Sequence, residues 1–286
     1  GSFSRAAESL KLTQSALTHS IKALEKSMGL GLLERSASGA TATRAGMSLY
    51  EHAKLLLNDS DRIRTEVNRA AAGLAGTIKL AVHPIFSDSC LPQALSVFAE
   101  KYDRLSIHVQ EGDVEDTVPL LSSGEIDLVI STVPLAPIHT NLSYERLGSV
   151  RWDFYAGSDH ALAGSKAIAA SELCRQRWVL LDRRHEMDFV ARYFAEHDEG
   201  MLEDTVQTGS FAVMRSMILG CGMIGLMPVS YMAGTSAVPL KTATPPLMRP
   251  FGLIARADSE TSRTMKEFID IFRKCIAQDS TGYFRN

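Results

Sequence analysis

The chain has 286 residues, 45% hydrophobic and 22% charged, enough for more than one domain and a substantial core. Its formal charge of −3 hides an asymmetry: residues 1–72 carry 10 Lys/Arg against 7 Asp/Glu, the remainder 20 against 26. No apolar run reaches membrane-span length, no signal peptide opens the sequence, and Cys90, Cys174, Cys221 and Cys275 match no zinc spacing, so a cytoplasmic protein with reduced thiols and no metal, cofactor or membrane partner is expected.

Phe3, Ala6, Ala7 and Leu10 form a short apolar helical stripe. After Lys11 and Leu12, Leu17, Ile21 and Leu24 mark a second helix with a buried stripe, N-capped by Thr13. Its other face shows Gln14, Ser15, Thr18, His19 and Lys22, groups able to donate and accept hydrogen bonds. Two short helices around a tight turn, the second polar-faced, describe a helix-turn-helix, whose second helix enters the major groove. Such a pair alone also fits a plain helical hairpin, but the extended runs 32–36 and 40–43 around Ala37-Ser38-Gly39 add a wing. A long helix follows over 44–72, with Leu49, Ala53, Leu56, Ser60, Ile63, Val67 and Ala70 in a heptad seam, before Gly73-Leu74-Ala75-Gly76 breaks it.

From Thr77 strands and helices alternate: strands at 78–82, 105–109 and 126–130 with helices at 91–102 and 114–121, then strands near 152–156, 178–181, 205–207 and 224–227 with helices near 189–197 and 211–219. A strand at 251–255 and a helix at 264–277 close the chain. The alternation predicts parallel sheet with right-handed crossovers.

Three stretches carry a resemblance over nearly the whole chain. Gly1-Ser2-Phe3-Ser4-Arg5-Ala6-Ala7-Glu8-Ser9-Leu10, Thr13-Gln14-Ser15-Ala16-Leu17-Thr18 with Ile21-Lys22-Ala23-Leu24-Glu25, and Gly29-Leu30-Gly31-Leu32-Leu33-Glu34-Arg35 with Thr43-Arg44-Ala45-Gly46 resemble the winged helix of LysR-type transcriptional regulators. The resemblance implies an N-terminal all-α winged helix-turn-helix over 1–46, preceded by a further helix that packs on Phe3 and Leu10. It implies a linker and dimerisation helix over 44–72 and an effector-binding α/β domain over 76–286. That domain has two Rossmann-like subdomains, 76–149 with 251–280 and 150–250, like periplasmic binding proteins. It also implies homodimers or homotetramers, a dyad-symmetric double-stranded DNA site, a small-molecule effector, and RNA polymerase as a further partner.

Ligands of such α/β folds bind at strand carboxyl ends and helix N-termini. The strand ends offer His83, Pro84, Ile85, Phe86 and Ser87, then Asp113, then Ser131 and Thr132; the second lobe offers Asp182, Arg183, Gly209, Ser210, Phe211, Met227 and Pro228. Any one of these is more often structural; as a set they are expected to line the cleft, with Ser87, Thr132 and Ser210 as hydrogen-bonding groups and Phe86 and Phe211 as apolar cover. Arg183-Arg184-His185 would attract an acid and Asp113 an amine, which leaves ligand charge open.

Gly220-Cys221-Gly222-Met223-Ile224-Gly225 matches the dinucleotide fingerprint, yet a helix precedes it and a strand follows, the reverse of the required order. No nucleophile elbow or Cys/His signature appears, so no enzyme is expected. In the DNA head, Gln14, Ser15, Thr18, His19 and Lys22 are assigned to bases or adjacent phosphates and Arg35 and Arg44 to phosphates. The wing tip carries Ala37-Ser38-Gly39-Ala40 where the family often has a basic residue, which predicts a weak minor-groove contact. A redox-sensing regulator of the same family, a stand-alone binding protein and an enzyme are the alternatives.

Overall fold

The computed structural model describes residues 2–36, 39–71, 76–87, 89–102, 104–132, 141–182, 184–200, 202, 204–242, 247–257, 262–278 and 284–285. The head comprises α1 (Phe3–Ser9), α2 (Gln14–Met28), the antiparallel pair β1 (Leu33–Ser36) and β2 (Gly39–Ala42), and α3 (Arg44–Ala71). Each junction has a local cause. Ser2 and Thr13 cap α1 and α2 through their hydroxyls, and left-handed Gly29 ends α2. Glu25, on the last turns of α2, accepts from the backbone N–H of Leu32 at 2.8 Å and of Leu33 at 3.1 Å, and so pins the entrance of the wing. Thr43 donates to Gly31 O and accepts from Gly46 N, capping α3 against the segment that leads into β1. Gly46 permits that approach: a Cβ there would stand 2.0 Å from Leu32 O.

The expected apolar stripe of α2 is only partly covered. Leu17 and Ile21 are half-buried and Leu24 is exposed, because only Ala7 and Leu32 among the described apolar head residues are fully enclosed. The sequence spacing marks the face correctly but not how much covers it. Residues 37 and 38 of the wing tip and 72–75 of the expected hinge lie outside the described residues.

The α/β part follows as β3 (Thr77–Val82), a 3-10 turn (Pro84–Phe86), α4 (Cys90–Lys101), β4 (Ser106–Glu111), α5 (Val114–Ser122), β5 (Leu128–Thr132) and β6 (Leu142–Gly157). It continues with α6 (Ala170–Cys174), β7 (Trp178–Leu181), α7 (Arg184–Ala195), β8 (Thr205–Thr208), α8 (Phe211–Gly220), β9 (Gly225–Pro228) and α9 (Val229–Met232). β10 (Ala237–Pro239), β11 (Leu247–Arg256), α10 (Arg263–Ala277) and β12 (Phe284–Arg285) complete it. In the first lobe β3 pairs parallel with β4 and β5; in the second β7 pairs parallel with β8, and a parallel bridge joins Trp178 to Ile224.

The purely parallel expectation needs one correction. β6 and β11 pair antiparallel with each other over Leu142–Trp152, β11 also pairs antiparallel with β5, and β6 continues into the second lobe to pair with β9 and β10. These two strands are the crossovers, and the expected subdomain limits at 149/150 and 250/251 fall inside them. The first half of β6 escaped the sequence reading because Ser143, Glu145 and Arg146 interrupt its apolar pattern, and α6, α9, β10 and β12 are too short to show a period. α7 starts at Arg184, earlier than the apolar spacing from Phe189 suggested, since its first turn is charged.

Strand alternation sorts the core. Ile78, Leu80 and Val82 of β3 and Leu128 and Ile130 of β5 face α4 and α10, joining Phe98, Phe268 and Phe272. Ala81 and Val129 face α5, joining Val114, Val118, Leu121 and Ile254. The larger cluster runs on through Trp152 and Phe154 to Trp178, Tyr193, Phe194 and Ile224 of the second lobe.

Candidate nucleic-acid interface and ligand cleft

At 100° per residue Gln14, Thr18, Lys22, Ser15 and His19 spread over less than half of the α2 circumference, so they form one face. Gln14, Ser15, His19 and Lys22 are exposed and Thr18 is half-buried. Ser4 of α1 donates to Gln14 Oε1 at 3.1 Å, which orients the carboxamide and leaves its NH2 group turned outward for an acceptor. Ser15 Oγ lies 3.1 Å from Thr13 Oγ1, within the cap. Arg44, the first residue of α3, is exposed beside the wing; Arg35 lies in β1, its side chain outside the described residues. Ser4, Glu25 and Thr43 stand in the motif runs but the sequence gives them no individual role, although a Thr before a helical pattern is a readable cap signal for Thr43.

Between the lobes the strand ends converge as follows. His83, after β3, is buried; its Nδ1 accepts from Ile85 N at 3.4 Å and its Nε2 stands 3.2 Å from Asp113 Oδ1, close but off hydrogen-bond alignment. Asp113 is the N-cap residue of α5, and its carbonyl accepts from Thr117 Oγ1 at 2.7 Å. Ser131 is 0% exposed with its hydroxyl unpaired, and Thr132 ends β5. From the second lobe Ser210 caps α8 by accepting from Val213 N, and Phe211 meets three rings: His83 at 5.6 Å, Trp152 at 6.0 Å and Tyr231 at 5.5 Å. Phe211 therefore closes one lobe on the other.

Two expected cleft residues are placed elsewhere. Phe86 is fully enclosed in the first lobe against Phe251, Phe272 and Phe284, because the 3-10 turn after β3 aims it inward; it cannot cover a ligand. Met227 is likewise fully buried, on β9 opposite Asp153 of β6. Ile85 and Pro228 are buried too, while Pro84, Ser87 and Ser210 keep some exposed surface. Arg183 lies outside the described residues.

The sequence reading missed a buried ion pair beside Trp152. Arg249 Nη1 of β11 donates to Glu186 Oε1 in the first turn of α7, with side-chain exposures of 13% and 6%. The guanidinium lies 5.2 Å from the Trp152 ring centroid, and Trp152 Nε1 is buried without a hydrogen-bond partner. Residues 63 apart in sequence give no local signal of pairing. The glycine-rich run at 220–225 ends α8 and opens β9, so it has the wrong order for a pyrophosphate loop. Among the described residues no group of His, Cys, Asp and Glu could hold a metal ion, and no helix is long and apolar enough to cross a membrane.

A winged helix-turn-helix carried by a long helix on a two-lobed α/β domain defines a DNA-binding regulator with a ligand-binding body. Residues 1–47 match the profile of the bacterial regulatory helix-turn-helix protein of the lysR family, and residues 71–275 match the LysR substrate binding domain. The chain belongs to the LysR family of bacterial transcriptional regulators. It is 26% identical over 227 residues to the RuBisCO operon transcriptional regulator of Allochromatium vinosum, covering 78% of this chain and 73% of that one. With the DNA-binding transcriptional dual regulator OxyR of Escherichia coli it shares 24% identity over 230 residues, 79% of this chain and 73% of that one. In fold it resembles full-length CbnR complexed with its target DNA, with a TM-score of 0.60 at 18% identity, covering 96% of this chain and 94% of that one.

Proposed function

We propose that α2 reads the major groove of a dyad-symmetric DNA site, Gln14, Ser15, Thr18, His19 and Lys22 contacting bases or adjacent phosphates and Arg35 and Arg44 holding phosphates. The observation that carries this reading is that Gln14, Ser15, His19 and Lys22 are exposed together on one side of α2, with Gln14 already oriented by Ser4. The head extends over about 1–46, the linker over 44–72 and the effector domain over 76–286. A small molecule binds between the lobes, near Pro84, Ser87, Asp113, Thr132, Ser210 and Phe211, and the lobe arrangement it favours gains population. Homodimers or homotetramers present two or more heads at a fixed spacing, in the cytoplasm, with RNA polymerase as a downstream partner; no catalysis is assigned to the chain. The exposed apolar residues Leu56, Ile63 and Val67 of α3 support a second copy as the dimer partner.

The test is binding to duplexes selected from a random-sequence pool. A reader of DNA with several phosphate contacts retains selected duplex at low salt and loses affinity by orders of magnitude between about 50 and 200 mM. Lys22→Ala is expected to weaken binding and, if Lys22 holds a phosphate, to lower the salt slope by about 1. An unchanged affinity across the salt series removes Lys22 from the interface.

A further inference from the structure

α5 connects the cleft to the linker helix. At its N-terminus Asp113 stands beside His83, whose ring meets Phe211 of the opposite lobe. Its nine residues span about 13 Å. At its other end the turn Ser123-Gly124-Glu125 meets α3. Lys54 Nζ donates to Glu125 Oε1 at 2.9 Å, and Asn58 Nδ2 donates to the Ser123 carbonyl. Leu55 lies over Gly124, where an added Cβ would come within 3.5 Å of its Cδ2; the φ of +77° at Gly124 brings the turn this close.

The turn is held from both sides. Ser123 Oγ donates to Glu125 Oε1 at 2.8 Å and so orients the carboxylate toward Lys54. Arg256, on the crossover strand β11, donates to Leu121 O and Ile126 O, both at 2.9 Å. The hydrogen bond from Lys54, then that from Ser123, lowers the Glu125 pKa, and the bond to Glu125 raises that of Lys54.

Lys54 and Asn58 sit on one face of α3, four residues apart. Leu56, Ile63 and Val67, 71%, 61% and 62% exposed, project from the opposite face. The helix can therefore dock on its own lobe and still offer its apolar seam to a second copy.

We infer that the Ser123–Glu125 turn is an intrachain docking surface for the linker helix, through which the first lobe fixes the position of the DNA-reading head. The inference rests on the regulator reading above. A change in how Phe211 seats on His83 reaches the turn through the nine residues of α5 and displaces α3 with it.

The full chain carrying Asn58→Cys and Ser123→Cys, with Cys174→Ser and Cys221→Ser to remove the two more accessible thiols, is oxidised and its crosslinks mapped by peptide mass. An intrachain 58–123 disulfide whose yield does not depend on protein concentration is expected; an interchain product alone, or none, overturns the docking. Hydrogen exchange over residues 54–58 provides a second reading: Glu125→Lys should speed it several-fold, and the swapped pair Lys54→Glu with Glu125→Lys should restore it. On a duplex selected by the parent protein, Glu125→Lys should alter the nuclease footprint and the swap should return it. A parent-like footprint with Glu125→Lys overturns the positioning role. If the parent selects no DNA, the regulator reading fails while the crosslink still decides the docking; if it selects DNA without an intrachain crosslink, the docking alone fails.

Discussion

Glu186→Ala should be among the most damaging single changes in the α/β domain. The substitution deletes the carboxylate that meets Arg249 and leaves a guanidinium, 13% exposed, with the Trp152 face as its remaining described aromatic contact. Breaking a buried pair from one side costs about 3–5 kcal/mol, because the surviving charge stays desolvated. The Trp152 contact, worth about 0.5–2 kcal/mol, is present before and after and does not offset the loss. At about 2–4 °C per kcal/mol for a domain of this size, the melting temperature should fall by about 6–20 °C. Thermal unfolding followed by tryptophan fluorescence is a direct assay, since Trp152 and Trp178 are both buried. The double variant Glu186→Met with Arg249→Met removes both charges and should recover part of the loss. A fall of less than about 1 °C for Glu186→Ala, or a double variant no better than the single, would refute the claim that Arg249 is desolvated at this site.

Gly46→Ala should destabilise the head by at least about 1–3 kcal/mol, since the new methyl meets the backbone oxygen of Leu32 and no side chain can yield; circular dichroism melts of the full chain would register it, and an unchanged head transition would contradict the close approach. Thiol labelling of the native protein should modify Cys221 first and Cys174 more slowly, while Cys90 and Cys275 react only on unfolding, burial having raised the Cys275 pKa. Fast labelling of Cys275 would be the contrary result. The folded-state pKa of Glu125 is depressed, so its pairing with Lys54 stabilises above the unfolded carboxyl value and is lost as pH falls through the folded one. Intrinsic-rate-corrected exchange over residues 54–58 should therefore be flat near neutrality and rise only below about pH 4; a rise between pH 8 and 6 would point to a different group.

Much of the architecture was legible because its causes are local. Thr13 before Leu17 and Ile21, the wing around Gly39, and the β/α alternation after Thr77 depend on caps, periods and turns that neighbouring residues encode. The crossover strands were harder, since the partner that makes Leu142–Gly157 a strand is β11, about a hundred residues later. The cleft was legible as a set of strand ends but not in its side-chain directions. Phe86 and Phe211 look equivalent in sequence, each beside a Ser at a loop, yet the 3-10 turn sends one into the core and the α8 cap sends the other across to His83. Long-range ion pairs such as Glu186 with Arg249 and Lys54 with Glu125 leave no trace in local pattern.

The paired crossovers bear on mechanics. Domains that open on loop hinges swing freely, since little is broken at the pivot. Here β6 runs for 16 residues from one lobe into the other, laddered to β11 across the junction. Pulling the lobes apart would have to stretch or bend both paired backbones at once, so the compliant mode is a torsion of the two-stranded ribbon. Its soft point is the register shift between Phe251 and Gly252, where the ladder is already irregular. On such a torsion spring a small rotation between the lobes would meet a restoring torque, and a lever as long as the 28-residue α3 would convert that small angle into a displacement at its far end.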